Sequence, residues 1–301
     1  MRSLEEKVRD ICRQRHAVIL AHNYTLPEVQ DLADFVGDSL ELSLRAAATQ
    51  AEAIVFCGVH FMAETAKILN PGRRVLMPDL GAGCPMADMV TAEALREAKA
   101  QHPGCAVVSY VNTTAAVKAE SDICCTSSNA RAIVATISPG RPVLFVPDRN
   151  LGGWVQEATD HPMTLWAGYC PTHQRLLPEF VEKVRDAHPE ALLVAHPECT
   201  PSVRAMADHI ASTSGILSFC RTSGRSEFII ATEQGILHRL RRESPGKTFH
   251  EAGPHLKCPN MKLSTVEKIL WCLEDLAPRV TVPEDVAAKA RRALERMLGG
   301  E

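Results

Sequence analysis

Ala17-Val18-Ile19-Leu20-Ala21-His22-Asn23-Tyr24 is an apolar run that ends abruptly in an imidazole, an amide and a phenol. A near-continuous apolar run reads as a strand of a parallel sheet covered on both faces. The same form returns along the chain. Ala53-Ile54-Val55-Phe56-Cys57 ends in Gly58-Val59-His60, and Val75-Leu76-Met77-Pro78-Asp79 leads to Gly81-Ala82-Gly83-Cys84. Ala106-Val107-Val108-Ser109-Tyr110-Val111-Asn112 and Val143-Leu144-Phe145-Val146, which runs into Pro147-Asp148-Arg149-Asn150, make a second group. Ala191-Leu192-Leu193-Val194-Ala195, before His196-Pro197-Glu198, and Phe228-Ile229-Ile230-Ala231, before Thr232-Glu233, make a third. Helical signals lie between them, at 4–15, 26–36, 40–50, 61–69, 130–137, 178–187 and 202–210, with further helices over 264–273 and 284–298. Strands alternating with helices indicate parallel α/β units, and ligands of such sheets gather beyond the carboxyl ends of the strands. Nearly every polar cluster of this chain falls there.

Three Cys-Pro pairs punctuate the pattern: Cys84-Pro85, Cys170-Pro171 and Cys258-Pro259, separated by 86 and then 88 residues. Each follows a loop-like run and precedes a helical segment. Three similar units, each offering one thiolate at the same structural place, predict a three-cysteine pocket at a common centre. Thiolates are soft ligands, and Cys-Pro is familiar from iron–sulfur sites. The expected division is 1–85, 86–171 and 172–263, with the helices of 264–301 packing back on the first unit.

Composition agrees with an ordinary soluble globular chain. It has 301 residues, 46% hydrophobic and 23% charged, more than one core usually holds. A net charge of −3 gives no electrostatic reason to expect a nucleic-acid partner. No apolar run approaches a membrane span, and the first residues lack the apolar stretch of a signal peptide, so a cytoplasmic protein is expected. Eleven cysteines without a short-spaced framework favour thiols or metal ligands over disulfides. No glycine-rich dinucleotide or phosphate loop is present.

The strand ends carry the chemistry. His22-x-Tyr24 reads either as an acid–base pair or as a hydrogen-bonded loop, and His196-Pro197-Glu198 repeats it with a carboxylate. Tyr110-x-Asn112 belongs to the same rim. Ser39, Thr126, Ser127, Ser212 and Thr213 stand at helix starts, where hydroxyls cap helices and free N–H groups also bind anions. Cys57 and Cys272 read as core residues, and the adjacent Cys124 and Cys125 as a turn before a helix.

Several of these stretches resemble the quinolinate synthase (NadA) family. They are Ala21-His22-Asn23-Tyr24, Gly37-Asp38-Ser39-Leu40-Glu41, the run from Phe56 to Lys67, Cys124-Cys125-Thr126-Ser127-Ser128-Asn129, Pro147-Asp148-Arg149-Asn150-Leu151-Gly152, Gly168-Tyr169-Cys170, His196-Pro197-Glu198-Cys199 and Cys258-Pro259-Asn260-Met261-Lys262. The resemblance implies three similar three-layer αβα domains around a pseudo-threefold axis, with a central active site and a 4Fe–4S cluster. It implies Cys84, Cys170 and Cys258 as the cluster ligands, with one iron left open as a Lewis acid. The implied reaction condenses iminoaspartate with dihydroxyacetone phosphate to quinolinate, phosphate and water, on the route to NAD. His22, Ser39, Tyr110, Asn112, Ser127, His196, Glu198 and Thr213 are then the expected substrate-binding residues. His22, Tyr24, His196 and Glu198 are the expected catalytic ones, Glu198 as base and Tyr24 as acid or relay. A transient contact with L-aspartate oxidase is the one protein partner the resemblance allows. Gly81 departs from an acidic residue common before the first ligand, and Pro85 and Pro171 occupy variable positions.

Read without the resemblance, the residues leave alternatives: another open-iron hydro-lyase, a redox sensor, or a structural zinc site. A sensor has no need of so many strand-end polar groups. Structural zinc usually closes with four ligands in paired short spacings, which are missing here.

Overall fold

The computed structural model describes residues 2–299. The first unit runs α1 (Leu4–Gln14), β1 (Ala17–His22), α2 (Pro27–Leu32), β2 (Phe35–Gly37), α3 (Ser39–Ala48), β3 (Ala53–Cys57), α4 (His60–Leu69) and β4 (Arg74–Leu76). The second runs α5 (Ala92–Gln101), β5 (Ala106–Tyr110), α6 (Ala115–Ala119), β6 (Ile123–Cys125), α7 (Ala130–Ala135), β7 (Val143–Val146), α8 (Arg149–Thr159) and β8 (Met163–Leu165). After α9 (Pro171–Gln174) the third runs α10 (Pro178–Ala187), β9 (Leu192–Ala195), α11 (Pro201–Arg204), β10 (His209–Ile210), α12 (Thr213–Thr222), β11 (Glu227–Ala231), α13 (Ile236–Glu243) and β12 (Thr248–Glu251). Two helices, α14 (Val266–Asp275) and α15 (Glu284–Met297), end the chain.

The strands form three four-stranded parallel sheets with one order repeated: β2-β1-β3-β4, β6-β5-β7-β8 and β10-β9-β11-β12. The α/β class with three similar sheets is therefore observed as expected. The period of two along each central strand divides its side chains between two cores. Ile19 and Ala21 of β1 enter an outer core with α1 and α14, while Leu20 enters a large central one. Val107 of β5 faces an outer core and Ala106 and Val108 the central one. Leu193 of β9 faces outward and Val194 the centre. Both faces are apolar because both are covered, which is why these strands read as unbroken hydrophobic runs.

The outer strands correct the sequence reading. The helix expected over 26–36 stops at Leu32, and Phe35–Gly37 is a strand. The polar turn expected over 124–129 begins only after Cys125, because Ile123–Cys125 is strand β6. The helix expected over 202–210 is only Pro201–Arg204, and His209–Ile210 pairs with β9. One device makes all three short strands. Asp34, Asp122 and Asp208 each accept the N–H of a residue on the neighbouring central strand, Ile19, Val107 and Leu193, at 2.7 Å. Each aspartate also donates its own N–H back to that residue's carbonyl, at 3.0, 3.0 and 2.9 Å. The aspartates are 88 and 86 residues apart, the period of the units.

Helix α14 packs on α1 and α2 of the first unit. Helix α15 lies along α6 and β6 of the second unit and against α4 of the first. Its Arg291 Nε donates to the Ile68 carbonyl, and Asn129 Nδ2 donates to that of Met297.

Candidate active site

The parity that sorts the cores also aims the site. Leu20, Val108 and Val194 face the centre, so His22, Tyr110 and His196, two residues on, face it too. They meet in a cavity of about 140 Å³. Tyr24, Asn112 and Glu198, two residues further, also line it. So do Ser39, Ser127 and Thr213 from the helix starts, and Cys84, Cys170 and Cys258. All twelve site residues expected from the sequence are thus brought to one cavity. Cys124 and Cys125 are buried in the central core and are not among the described lining residues.

The cavity contains a buried chain of polar contacts. Tyr110 Oη donates to Glu198 Oε1 at 2.6 Å. Glu198 Oε2 lies 2.9 Å from His173 Nδ1, an ion-pair distance whose alignment falls short of a linear hydrogen bond. His173 Nε2 meets Thr232 Oγ1 at 2.8 Å, Thr232 Oγ1 meets Tyr24 Oη at 2.7 Å, and Tyr24 Oη meets Thr213 Oγ1 at 2.9 Å. Carboxylate, imidazole and hydroxyls therefore form one path from Tyr110 to Thr213. Burial alone would raise the Glu198 carboxyl, but His173, His196 and the Tyr110 hydroxyl outweigh it and hold it well below the usual carboxylate range. Burial, reinforced by Glu198, pushes both Tyr24 and Tyr110 well above the usual phenol value. Both phenols are donors at neutral pH.

His22 and His196 share one geometry. The Nδ1 of His22 accepts the Tyr24 N–H at 3.1 Å, and that of His196 accepts the Glu198 N–H at 3.2 Å. Burial lowers His22 to about 4 and His196 to about 3. Each imidazole is neutral at pH 7, and the backbone bond to Nδ1 leaves its proton on Nε2. They are donors for whatever fills the cavity rather than stored protons.

Helix N-termini from the three units close one wall. Asp38 caps α3, its Oδ1 accepting from Leu40 and Glu41 N–H, both at 3.0 Å. Its Oδ2 accepts the Ser128 hydroxyl at 2.8 Å and the Ser214 hydroxyl at 2.6 Å. Ser128 reaches Ser212, the cap of α12, at 2.9 Å. One carboxylate from the first unit thus joins hydroxyls from the second and third. Arg175 is the one Lys or Arg among the described lining residues.

The three cysteines are equivalent in detail. In each, the backbone N–H three residues on pulls against the effect of burial on the thiol: that of Ala87 for Cys84, His173 for Cys170 and Met261 for Cys258. The N–H groups of Met86 and Asn260 act in the same direction on Cys84 and Cys258. Burial raises all three thiols, Cys84 to about 12, so bare thiolates would be costly here. Three half-buried thiols lining one cavity are a donor set suited to a metal centre that keeps them deprotonated. The loops carrying them are tightly held. A Cβ on Gly168 would collide with the Pro147 carbonyl oxygen, so only glycine admits the Tyr169-Cys170 turn. Glu233 accepts the Cys258 N–H at 3.0 Å and pairs with Lys262 at 2.9 Å, and Lys262 in turn donates to the Tyr24 carbonyl.

The model of the family described as "Quinolinate synthetase A protein" matches residues 6–299. The chain belongs to this family. Quinolinate synthases of Geobacter sp. (strain M21), Desulforudis audaxviator and Methanosarcina barkeri are 55%, 54% and 50% identical to it. Each alignment covers 98% of this chain and 97% of the relative. Membership in the quinolinate synthetase A family makes the chain an enzyme, and among its described residues no helix is long and apolar enough to cross a membrane.

The sequence reading passed over His173, Thr232, Arg175 and Asp38. His173 carried a usable signal, since it stands three residues after Cys170, and Thr232 sits at a strand end. Asp38 was visible only as part of a motif, because its partners Ser128 and Ser214 are 90 and 176 residues away.

Proposed function

We propose that this chain condenses iminoaspartate with dihydroxyacetone phosphate to give quinolinate, phosphate and two waters, feeding NAD synthesis. The observation that carries the reading is the meeting of three cysteines, one from the end of each unit's loop, with a carboxylate–imidazole–hydroxyl path in one cavity. Cys84, Cys170 and Cys258 would hold a 4Fe–4S cluster. With three protein ligands such a cluster keeps one iron open and supplies Lewis-acid activation of a substrate oxygen.

The substrates bring two carboxylates and a phosphate. The N–H groups at the starts of α3 and α12, the hydroxyls of Ser39, Ser127 and Thr213, and Arg175 are suited to these anions. Neutral His22 and His196 donate through Nε2 to carbonyl or carboxylate oxygens and orient them. Asn112 Oδ1 is buried without a protein partner and can accept from the imine or amine nitrogen.

Triose isomerisation, ring closure and loss of water all move protons between carbon, oxygen and nitrogen. Glu198, held anionic, fixes His173 and keeps its ring ready to accept. The Tyr24 oxygen takes a proton from the substrate as its own passes through Thr232 to His173 Nε2, and the reverse passage lets Tyr24 deliver that proton to a departing hydroxyl, with Thr213 as its second contact. Glu198 acts in this scheme through His173, and Tyr110 holds its other oxygen.

The test is iron, acid-labile sulfide and quinolinate formation in protein purified without oxygen. About four irons and four sulfides per chain, with quinolinate made from the two substrates and all three lost in Cys170→Ala, is the expected result. A colourless, fully active Cys170→Ala variant would remove the cluster. An iron-loaded protein that makes no quinolinate would remove the reaction.

A further inference from the structure

The catalytic cavity lies at the carboxyl ends of the strands. A second convergence of ligand-type side chains lies at the other end of the third sheet. Glu227 is the first residue of β11, and His250 is the third residue of β12. In the parallel register Ile229 stands beside His250, so Glu227, Ile229 and His250 project from one face. That face packs against α10, because Ile229 shares its core with Val181, Phe180 and Val184. His188 is the residue that ends α10. Helix end and strand start therefore bring two imidazoles onto one carboxylate.

The contacts are close. His188 Nδ1 lies 3.1 Å from Glu227 Oε1, and His250 Nε2 lies 2.8 Å from the same oxygen. The two rings stack at 3.6 Å between centroids with 21° between planes. One oxygen and two nitrogens, all within 4.8 Å of one another, point at a common space. Around tetrahedral zinc, ligands at about 2.0–2.1 Å stand about 3.4 Å apart. The observed spacings are a few tenths of an ångström shorter, as they are when protons rather than a cation lie between the atoms. Small ring rotations at a rim position open them to the metal distance.

The surroundings suit a cation. His188 Nε2, His250 Nδ1 and Glu227 Oε2 have no hydrogen-bond partner among the described residues, so the ring protons have somewhere to go. Among the described residues Glu227 has ion-pair contacts only to the two histidines and to no lysine or arginine. Side-chain exposures of 33%, 33% and 22% for His188, Glu227 and His250 leave room for water as further ligand. Two imidazoles with one carboxylate favour zinc, cobalt or nickel over calcium or magnesium, which prefer all-oxygen sites.

We propose that His188, Glu227 and His250 form a binding site for a zinc-class divalent cation on the rim of the third unit, remote from the cysteine-lined cavity. The bound cation ties the end of α10 to the edge strand β12.

Calorimetric titration of zinc chloride into the oxygen-free, full-length protein tests this, with Glu227→Gln, His250→Ala, His188→Ala and Cys170→Ala beside the wild type. One zinc per chain is expected, and zinc raises the unfolding midpoint. The three rim variants each weaken binding by at least the roughly 10–100-fold that losing even an outer-shell partner costs, while Cys170→Ala keeps the site. All three rim positions are partly exposed, and the zinc-free unfolding midpoints show that the variants fold. Equal zinc affinity in the wild type and all rim variants would overturn the proposal. So would loss of binding in Cys170→Ala alone, or no binding at all.

Discussion

Glu198 is the residue on which the site's electrostatics turn. It is buried and ionised, held by Tyr110 on one oxygen and His173 on the other. Glu198→Gln keeps the volume but removes the charge that orients His173. A drop in kcat of about 10²–10⁴-fold is expected, the range for one proton-transfer group, with iron and sulfide content unchanged. Near-normal turnover would remove the path from the mechanism. The neutral histidines give a second prediction, in stability. An unfolded histidine titrates near 6.5, and folded His22 near 4 and His196 near 3. Above pH 6.5 neither state binds the proton and the fold is unaffected. As pH falls from 6.5 towards 4, and on to 3 for His196, the unfolded chain gains protons that the folded one refuses, so stability is lost. For His22 the loss is on the order of 3 kcal/mol at the end of that window. Unfolding midpoints should fall over it, and less steeply in His22→Asn; parallel curves would show that His22 is protonated in the folded state. His22, Tyr110, His196 and their partners two residues on were legible because each pair ends an apolar strand. His173 and Thr232 each carried a local signal, but their joint role did not, because it depends on a contact 59 residues apart.

At the scale of elements, central strands could be read, and so could the edge strand β4, while the edge strands β2, β6 and β10 could not. Val18-Ile19-Leu20 or Ile229-Ile230 declare themselves by composition. Phe35–Gly37 and His209–Ile210 are three and two residues long and lie between helices, so the helical period swallowed them. What makes them strands is tertiary: an aspartate bonded to the strand beside it. The recurrence of Ala33-Asp34, Ser121-Asp122 and Ala207-Asp208 at the unit period was the available signal. Asp208→Ala removes one such bond at a partly exposed site, and a loss of about 1 kcal/mol is expected, read as a lower denaturant midpoint. Because β10 leads directly into α12, Thr213 would loosen as well. No change in midpoint would show that β10 is held by packing alone.

Across the whole molecule, three copies of one unit supply three different things to the centre. The first gives His22 and Tyr24, the second Tyr110 and Asn112, and the third His196 and Glu198. Equivalent positions have diverged in chemistry while keeping their place, and a cavity at the meeting of three sheets can be lined in no other way. The consequence is that the site depends on how the units sit on one another. The Asp38–Ser128–Ser212–Ser214 junction is where that relation is fixed, since it ties a cap of α3 to the turn before α7 and the start of α12. Ser128 is not among the described lining residues, yet its hydroxyl touches both other units. Ser128→Ala removes the contacts to Asp38, Ser212 and Ser214 and leaves Asp38 with Ser214 as its remaining hydroxyl donor. The helix starts carrying Ser39, Ser127 and Thr213 then lose their common anchor. Under the proposed reading they hold the substrate anions, so KM should rise by about tenfold, the equivalent of about 1.4 kcal/mol. Iron and sulfide content should change little, because the cysteines lie on other loops, and kcat should fall by less than KM rises, because only the Thr213 end of the Glu198 path sits on one of these helix starts. A KM equal to the wild type's would show that the three units are positioned by their shared core and that the junction only satisfies its own buried carboxylate.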